Sequence, residues 1–220
     1  MHQRKIEVAA SVLNADFSKW QEWLPQLEKA KVERIQFDIM DGKYVPNTGI
    51  NKKTIAELRP HTKLFFESHL MVEKPEGYVK EFAENGTGLL LFHVETTKKP
   101  IELIGSIQAS GMKAGIAVNN RTPAEKIFPY LEKVDLALVM SVEAGSGGQK
   151  FNPAALEKIK ALRQEIEMGG FGCKIEVDGG INAETAGQCV AAGADVLVAG
   201  TFLFIHPKVI FEAVKGLRKA

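Results

Sequence analysis

Two aspartates, a histidine and a glutamine occupy positions from which side chains of several strands can meet. They are Gln36 and Asp38 in RIQFDIM, His69 in LFFESHLM and Asp178 in KIEVDG. Residues two apart on a strand point to the same face. Gln36, Asp38 and Met40 therefore share a face, as do Glu67, His69 and Met71, and Glu176 with Asp178. A lone aspartate at a strand end ordinarily caps a helix or serves a turn, and a lone histidine is ordinarily a hydrogen-bonded structural residue. Three ionisable groups of consistent parity point to chemistry instead. Two carboxylates on opposite sides of a planar intermediate can remove a proton from one face and return one to the other, which inverts a stereocentre. A hydrogen beside a carbonyl is weakly acidic, so the enediolate needs electrostatic stabilisation, often from a divalent metal. Asp38, His69 and Asp178 offer three ligands for such an ion.

Glycine supplies a second signal. GSGGQ (145–149), DGG (178–180) and AGTFLF (199–204) follow three successive strand candidates. Glycine lets backbone N–H groups approach an anion closely, and a helix N-terminus favours negative charge. Tight turns between strand and helix would use the same residues, but three consecutive loops of this kind point to a phosphate. Together, a carboxylate pair and a phosphate grip indicate proton transfer beside the carbonyl of a phosphorylated substrate. Asp41, in DIMDG, reads as a turn residue whose carboxylate bonds local amides, and Met40, Met71 and Met140 as core filling or shielding of the site.

The elements that must place these groups alternate along the whole chain. Strand candidates are 6–12, 34–40, 64–71, 89–95, 113–119, 135–142, 174–179 and 195–200, with helical patterns at 18–29, 75–84, 100–110, 153–166 and 183–192. Pro75, Pro100, Pro123 and Pro153 suit a first helical turn, Asn152 and Asn182 can cap, and Gly86, Gly111 and Gly193 stand where a left-handed residue closes a helix. Eight strand–helix units in 220 residues, with no linker or composition break, predict one closed (β/α)8 TIM barrel domain over 1–220 rather than an open doubly wound sheet. The carboxyl ends of strands six to eight then form the phosphate site.

Composition narrows the partners. Lys and Arg number 28 against 27 Asp and Glu, so a net charge of +1 removes the general attraction to nucleic acid or anionic membrane. No apolar run approaches the roughly 20 residues that span a bilayer, and Glu7 interrupts the apolar stretch a signal peptide would need. Cys173 and Cys189 match no zinc knuckle or redox pair. A cytoplasmic globular enzyme is expected.

At the quoted residues the chain resembles the ribulose-5-phosphate 3-epimerase family of (β/α)8 barrels. The resemblance runs through ASVLNADF (10–17), FDIMDGKYVPN (37–47), SHLMVEKPE (68–76), FHVE (92–95), LVMSVEAGSGGQKF (138–151), IEVDGGIN (175–182) and VLVAGTFLF (196–204). It implies interconversion of ribulose 5-phosphate and xylulose 5-phosphate, with Asp38 and Asp178 as acid–base pair and metal ligands and His69 as a further ligand. It also implies substrate contacts from Ser11 and His69, a phosphate held by backbone groups of Gly145, Ser146, Gly147, Gly148, Gly179, Gly180, Gly200 and Thr201, and a homo-oligomer.

The departures bear on the site. The family usually has histidine where Gln36 stands, so Gln36 is expected as a weak fourth ligand. The divalent ion, whether zinc, manganese, iron or magnesium, is then expected to be loosely bound or absent. Lys43 stands where the family commonly has histidine, Glu67 lengthens a usual carboxylate, and Ala144 and Ser146 replace a proline and an aromatic residue. Other readings are a non-catalytic phosphosugar-binding protein descended from the enzyme, a 3-epimerase for a ketohexose 6-phosphate, and a hexulose-phosphate synthase or decarboxylase. The last usually needs a lysine that DIMDG and ESHLM do not offer.

Overall fold

A computed structural model describes residues 5–204 and 210–219, so the basic first residues lie outside the described part. Eight strands form a closed parallel barrel in sequence order: β1 (Glu7–Ser11), β2 (Arg34–Met40), β3 (Phe65–Met71), β4 (Leu89–His93), β5 (Lys113–Val118), β6 (Leu136–Met140), β7 (Lys174–Asp178) and β8 (Val196–Ala199). The ring closes where β1 pairs with β8, Glu7 opposite Val196 and Ala10 opposite Ala199. All eight expected strands are present, each within a residue or two of its expected ends.

Strand parity divides the side chains into two apolar layers. Val8, Ile35, Phe37, Phe66, Leu90, Ile116 and Val177 face outward and pack with helix residues such as Leu24, Leu27, Ile55, Phe82 and Leu162. Ala9, Leu89, Leu91, Ala117, Leu138, Val196 and Val198 fill the barrel itself. Each fully buried large side chain in these layers contributes roughly 1.5–3 kcal/mol.

The helices are α1 (Trp20–Lys29), α2 (Lys53–Leu58), α3 (Val79–Glu84), α4 (Pro100–Ala109), α5 (Ala155–Gly169), α6 (Ala183–Ala192), α7 (Thr201–Phe204) and α8 (Ile210–Arg218). Asn182 caps α6 as expected: its side chain accepts from the Glu184 and Thr185 amides, while the Thr185 hydroxyl accepts from the Asn182 N–H. Asn152 does otherwise, bonding the Ala154 amide in a turn before α5, which runs on to Gly169. Between β5 and β6 there is no α-helix among the described residues. Pro123 leads into two 3-10 turns, Ala124–Lys126 and Phe128–Tyr130, because Pro129 removes a donor and keeps Phe128 from a regular helix.

The loop after β2 folds back across the end of that strand. Asp41 holds the turn by accepting from the amides of Lys43, Tyr44 and Glu73. Gly49 then bridges Ile39, with φ at +57°. A Cβ at Gly49 would lie 2.6 Å from the Asp38 carbonyl oxygen and 2.8 Å from the Met40 nitrogen. Gly49→Ala is therefore expected to cost about 2–4 kcal/mol and to lower Tm by roughly 4–16 °C. A melting curve checks this, and an unchanged Tm would show that the loop does not brace the strand end carrying Asp38.

Candidate functional site

The inward parity of β2, β3 and β7 brings Asp38, His69 and Asp178 together at the carboxyl end of the barrel. One ligand-capable atom from each lies within 4.8 Å of the others, and the ring of strands that holds them is rigidly paired, Asp38 beside His69 and Met140 beside Asp178. Asp38 accepts from the Ser11 hydroxyl at 2.7 Å and from Gln36 Nε2 at 3.1 Å. Its Oδ1 also lies 3.0 Å from His69 Nδ1. Burial and the nearby Asp38 charge push the Asp178 carboxyl up to about 7.

Gln36 is not a ligand in this arrangement, which corrects the expectation of a weakened four-residue metal set. Its amide nitrogen donates to Asp38 Oδ1 and, at 2.8 Å, to Asp178 Oδ2. A group that turns its N–H donors to both carboxylates does not also serve as an oxygen ligand beside them; its Oε1 is buried and has no hydrogen-bond partner among the described residues. The Asp38, His69 and Asp178 set is intact without it, so the substitution does not imply an absent ion. The set fits a divalent cation on its own chemistry: two carboxylates and an imidazole nitrogen converge, buried, on one point.

Above this point opens a cavity of about 540 Å³. Its wall includes Ser11, Asp38 and Asp178, and also Gly145, Ser146, Gly147, Gly148, Gly179, Gly180, Gly200 and Thr201. His69 is fully buried and is not among the residues of that wall. Met40, Met71 and Met140 line the cavity, and Lys43 is exposed on its loop. The glycine-rich loop after β6 is tied down from several sides. Asn47 donates to the Gly145 carbonyl, Gln149 to the Glu143 and Ser146 carbonyls, and the Ala144 amide to Asn119 Oδ1. A Cβ at Gly147 would lie 2.3 Å from Asn14 Nδ2 and would displace that side chain; Asn14 donates to the Thr201 hydroxyl.

Behind His69 stands a pair the sequence analysis did not assign. His93 Nε2 lies 2.8 Å from His69 Nε2, and His93 Nδ1 lies 3.4 Å from Glu95 Oε2 and 3.2 Å from the Tyr44 hydroxyl. Burial pushes His93 down to about 4. Glu95 is held down at about 2, where its partial burial is outweighed by bonds from His93, Thr122 and the Asn119 amide. His93 carried the same signal as His69: it ends β4 on the inward face of Leu89 and Leu91. Tyr44, Asn14 and Asn119 sit in loops, where parity says nothing.

Deeper in the barrel, Glu67 and Glu176 are fully buried around Arg34. Arg34 Nη1 donates to Glu67 Oε2 at 3.0 Å and lies 4.0 Å from Glu176 Oε2, while its other nitrogens reach Glu7. Burial raises both carboxyls, that of Glu176 well above the usual range. Cys173 and Cys189 are buried and free, and among the described residues no helix is long and apolar enough to cross a membrane.

The model of the ribulose-phosphate 3 epimerase family matches residues 7–204. The chain is 37% identical to a ribulose-phosphate 3-epimerase of Schizosaccharomyces pombe, covering 98% of this chain and 94% of that protein. It is 42% identical to one of Methanocaldococcus jannaschii, with 98% and 91% covered, and 40% identical to a cytoplasmic isoform of Oryza sativa, with 97% and 93% covered. Among solved structures, a 3-hexulose-6-phosphate synthase superposes with a TM-score of 0.73 at 14% identity, covering 97% of this chain and 99% of that one. A likeness of that kind shows the barrel alone.

Proposed function

The chain belongs to the ribulose-phosphate 3 epimerase family, and on that footing we propose that it inverts carbon 3 of a phosphorylated ketose, taking ribulose 5-phosphate to xylulose 5-phosphate. The observation that carries the proposal is the carboxylate pair. Asp38 from β2 and Asp178 from β7 face one cavity and are spanned by a single amide nitrogen, that of Gln36. One carboxylate removes the carbon 3 proton and the other delivers a proton to the opposite face, and the roles exchange in the reverse direction.

Ser11 and Gln36 hold the Asp38 carboxylate, and Gln36 also holds that of Asp178, so neither turns away between the two transfers. A divalent ion held by Asp38, His69 and Asp178 would supply positive charge against the oxygens of the enediolate. The donor set suits zinc, manganese, iron or magnesium. Backbone groups of Gly145, Ser146, Gly147 and Gly148, with Gly179, Gly180, Gly200 and Thr201, would grip the phosphate and thereby set carbon 3 between the carboxylates. Met40, Met71 and Met140 keep the reacting end of the cavity apolar. The one-domain organisation over 1–220, a cytoplasmic setting and a homo-oligomer belong to the same proposal. The closed barrel supports the first and the rice relative's description the second; the third rests on family resemblance.

Proton NMR of ribulose 5-phosphate in heavy water tests the reaction. With metal-supplied protein the carbon 3 proton signal is expected to vanish while xylulose 5-phosphate appears. No exchange by folded, metal-supplied protein would overturn the proposal, whereas faster exchange on a ketohexose 6-phosphate would change the sugar and keep the chemistry.

A further inference from the structure

We infer that His93, backed by Glu95, is the positioning residue that presents the Nδ1 lone pair of His69 to a divalent cation. The inference rests on the cation-binding function proposed for Asp38, His69 and Asp178. It begins from the contact between the two Nε2 atoms, 2.8 Å apart. At that distance one nitrogen carries a hydrogen and the other a lone pair.

Which is which follows from what lies behind His93. Its Nδ1 faces Glu95 Oε2 at 3.4 Å, and a carboxylate only accepts. The Glu95 carboxylate is itself fixed, taking the Asn119 amide on its other oxygen at 2.8 Å. The Tyr44 hydroxyl, 3.2 Å from the same nitrogen, can accept as well. The N–H of His93 is therefore drawn to Nδ1, which leaves a lone pair on Nε2. That lone pair takes the N–H of His69 at its Nε2, and His69 is left with a lone pair on Nδ1. Nδ1 lies 3.0 Å from Asp38 Oδ1, so two acceptors oppose each other, and a cation held by both residues would relieve the opposition. Both rings are completely buried, so water does not substitute for either partner.

Histidine ligands depend on such partners for tautomer and orientation, and losing one weakens metal binding by about ten- to a hundredfold. The relay also extends outward. Asn119 donates to the Tyr44 hydroxyl and accepts from the Ala144 amide, which joins the cation ligands to the glycine-rich loop by continuous hydrogen bonds.

Co²⁺ titration of chelator-stripped protein, followed by visible absorption and by competition with a chelator, tests the inference without turnover. Glutamine places an oxygen where Nε2 of histidine was, and asparagine reaches only as far as Nδ1. His93→Gln is therefore expected to bind Co²⁺ nearly as the wild type does. His93→Asn is expected to bind about ten- to a hundredfold more weakly, with a shifted absorption band. Equal weakening in the two variants, or wild-type affinity in His93→Asn, would overturn the inference. Should His93→Asn fail to fold, Glu95→Met, which removes the carboxylate acceptor facing His93 Nδ1, serves in its place, and an unaltered Co²⁺ affinity there would overturn it. Wild-type protein that binds no Co²⁺ would overturn the cation proposal itself, a result distinct from the others.

Discussion

Asp178→Asn is expected to lower the rate of carbon 3 exchange at least about a thousandfold, near the upper range for loss of one acid–base group. The same substitution removes one of the anionic ligands proposed for the cation, so both the proton transfer and the charge that would assist it suffer together. The fold should not suffer. Asparagine has the shape of aspartate and can still accept from Gln36 Nε2. In metal-free protein it should even help. The Asp178 carboxyl is raised to about 7 by burial and the Asp38 charge, so ionising it costs stability as pH climbs from the usual carboxylate range through that value. Chelated Asp178→Asn at pH 8 is therefore expected to melt no lower than chelated wild type. Exchange within tenfold of wild type would remove Asp178 from the mechanism, and a large drop in Tm would assign the lost activity to unfolding.

Arg34→Met is expected to be the most damaging single change to stability, at about 3–5 kcal/mol, the usual cost of stranding a buried charge. For a chain of this size that lowers Tm by roughly 6–20 °C. Glu67 and Glu176 share Arg34 as their one buried cation, and three of their four carboxyl oxygens have no hydrogen bond among the described residues. Without the guanidinium the two carboxyls escape only by holding protons. Their pKa values are already raised in the fold by burial, and Arg34, which lowers both, would be gone. A carboxyl raised above its unfolded value withdraws stability as pH rises. The deficit of Arg34→Met relative to wild type should therefore widen between pH 5.5 and pH 8. Urea melts of chelated protein at the two pH values measure it, and a deficit below about 1 kcal/mol, or one that narrows, would show that the barrel interior tolerates the pair unaided.

The barrel was legible because each strand is a short apolar run whose parity survives intact in the fold. RIQFDIM is β2 residue for residue, and its alternate members divide between the outer layer and the site. Helix α6 was legible because Asn182 and Gly193 punctuate it. Helix α2, six residues with only Ile55 and Leu58 buried, has too short a pattern to stand out. Helix α8 has a usable one in Ile210, Val214 and Leu217, spaced at i, i+4 and i+7. The convergence of Asp38, His69 and Asp178 was legible by parity, and the same rule applied to LLLFH would have placed His93 beside them. The role of Gln36 was not legible, since a side-chain amide carries both donors and an acceptor and only the fold decides which end meets the carboxylates. Comparison with a histidine-bearing family made it look like a substitute ligand, when its nitrogen is what faces Asp38 and Asp178.

Closure of the ring by its first and last strands has a consequence for the life of the chain on the ribosome. The side of β1 that pairs with β8 has no partner until Val196–Ala199 have been made. At a synthesis rate of about 5–20 residues per second, the interval is roughly ten to forty seconds. An apolar strand with an open edge for that long is a template for the wrong neighbour. The nascent protein is thus most vulnerable to association with its own copies before translation ends, and slowing translation upstream of β8 should increase its demand for chaperones.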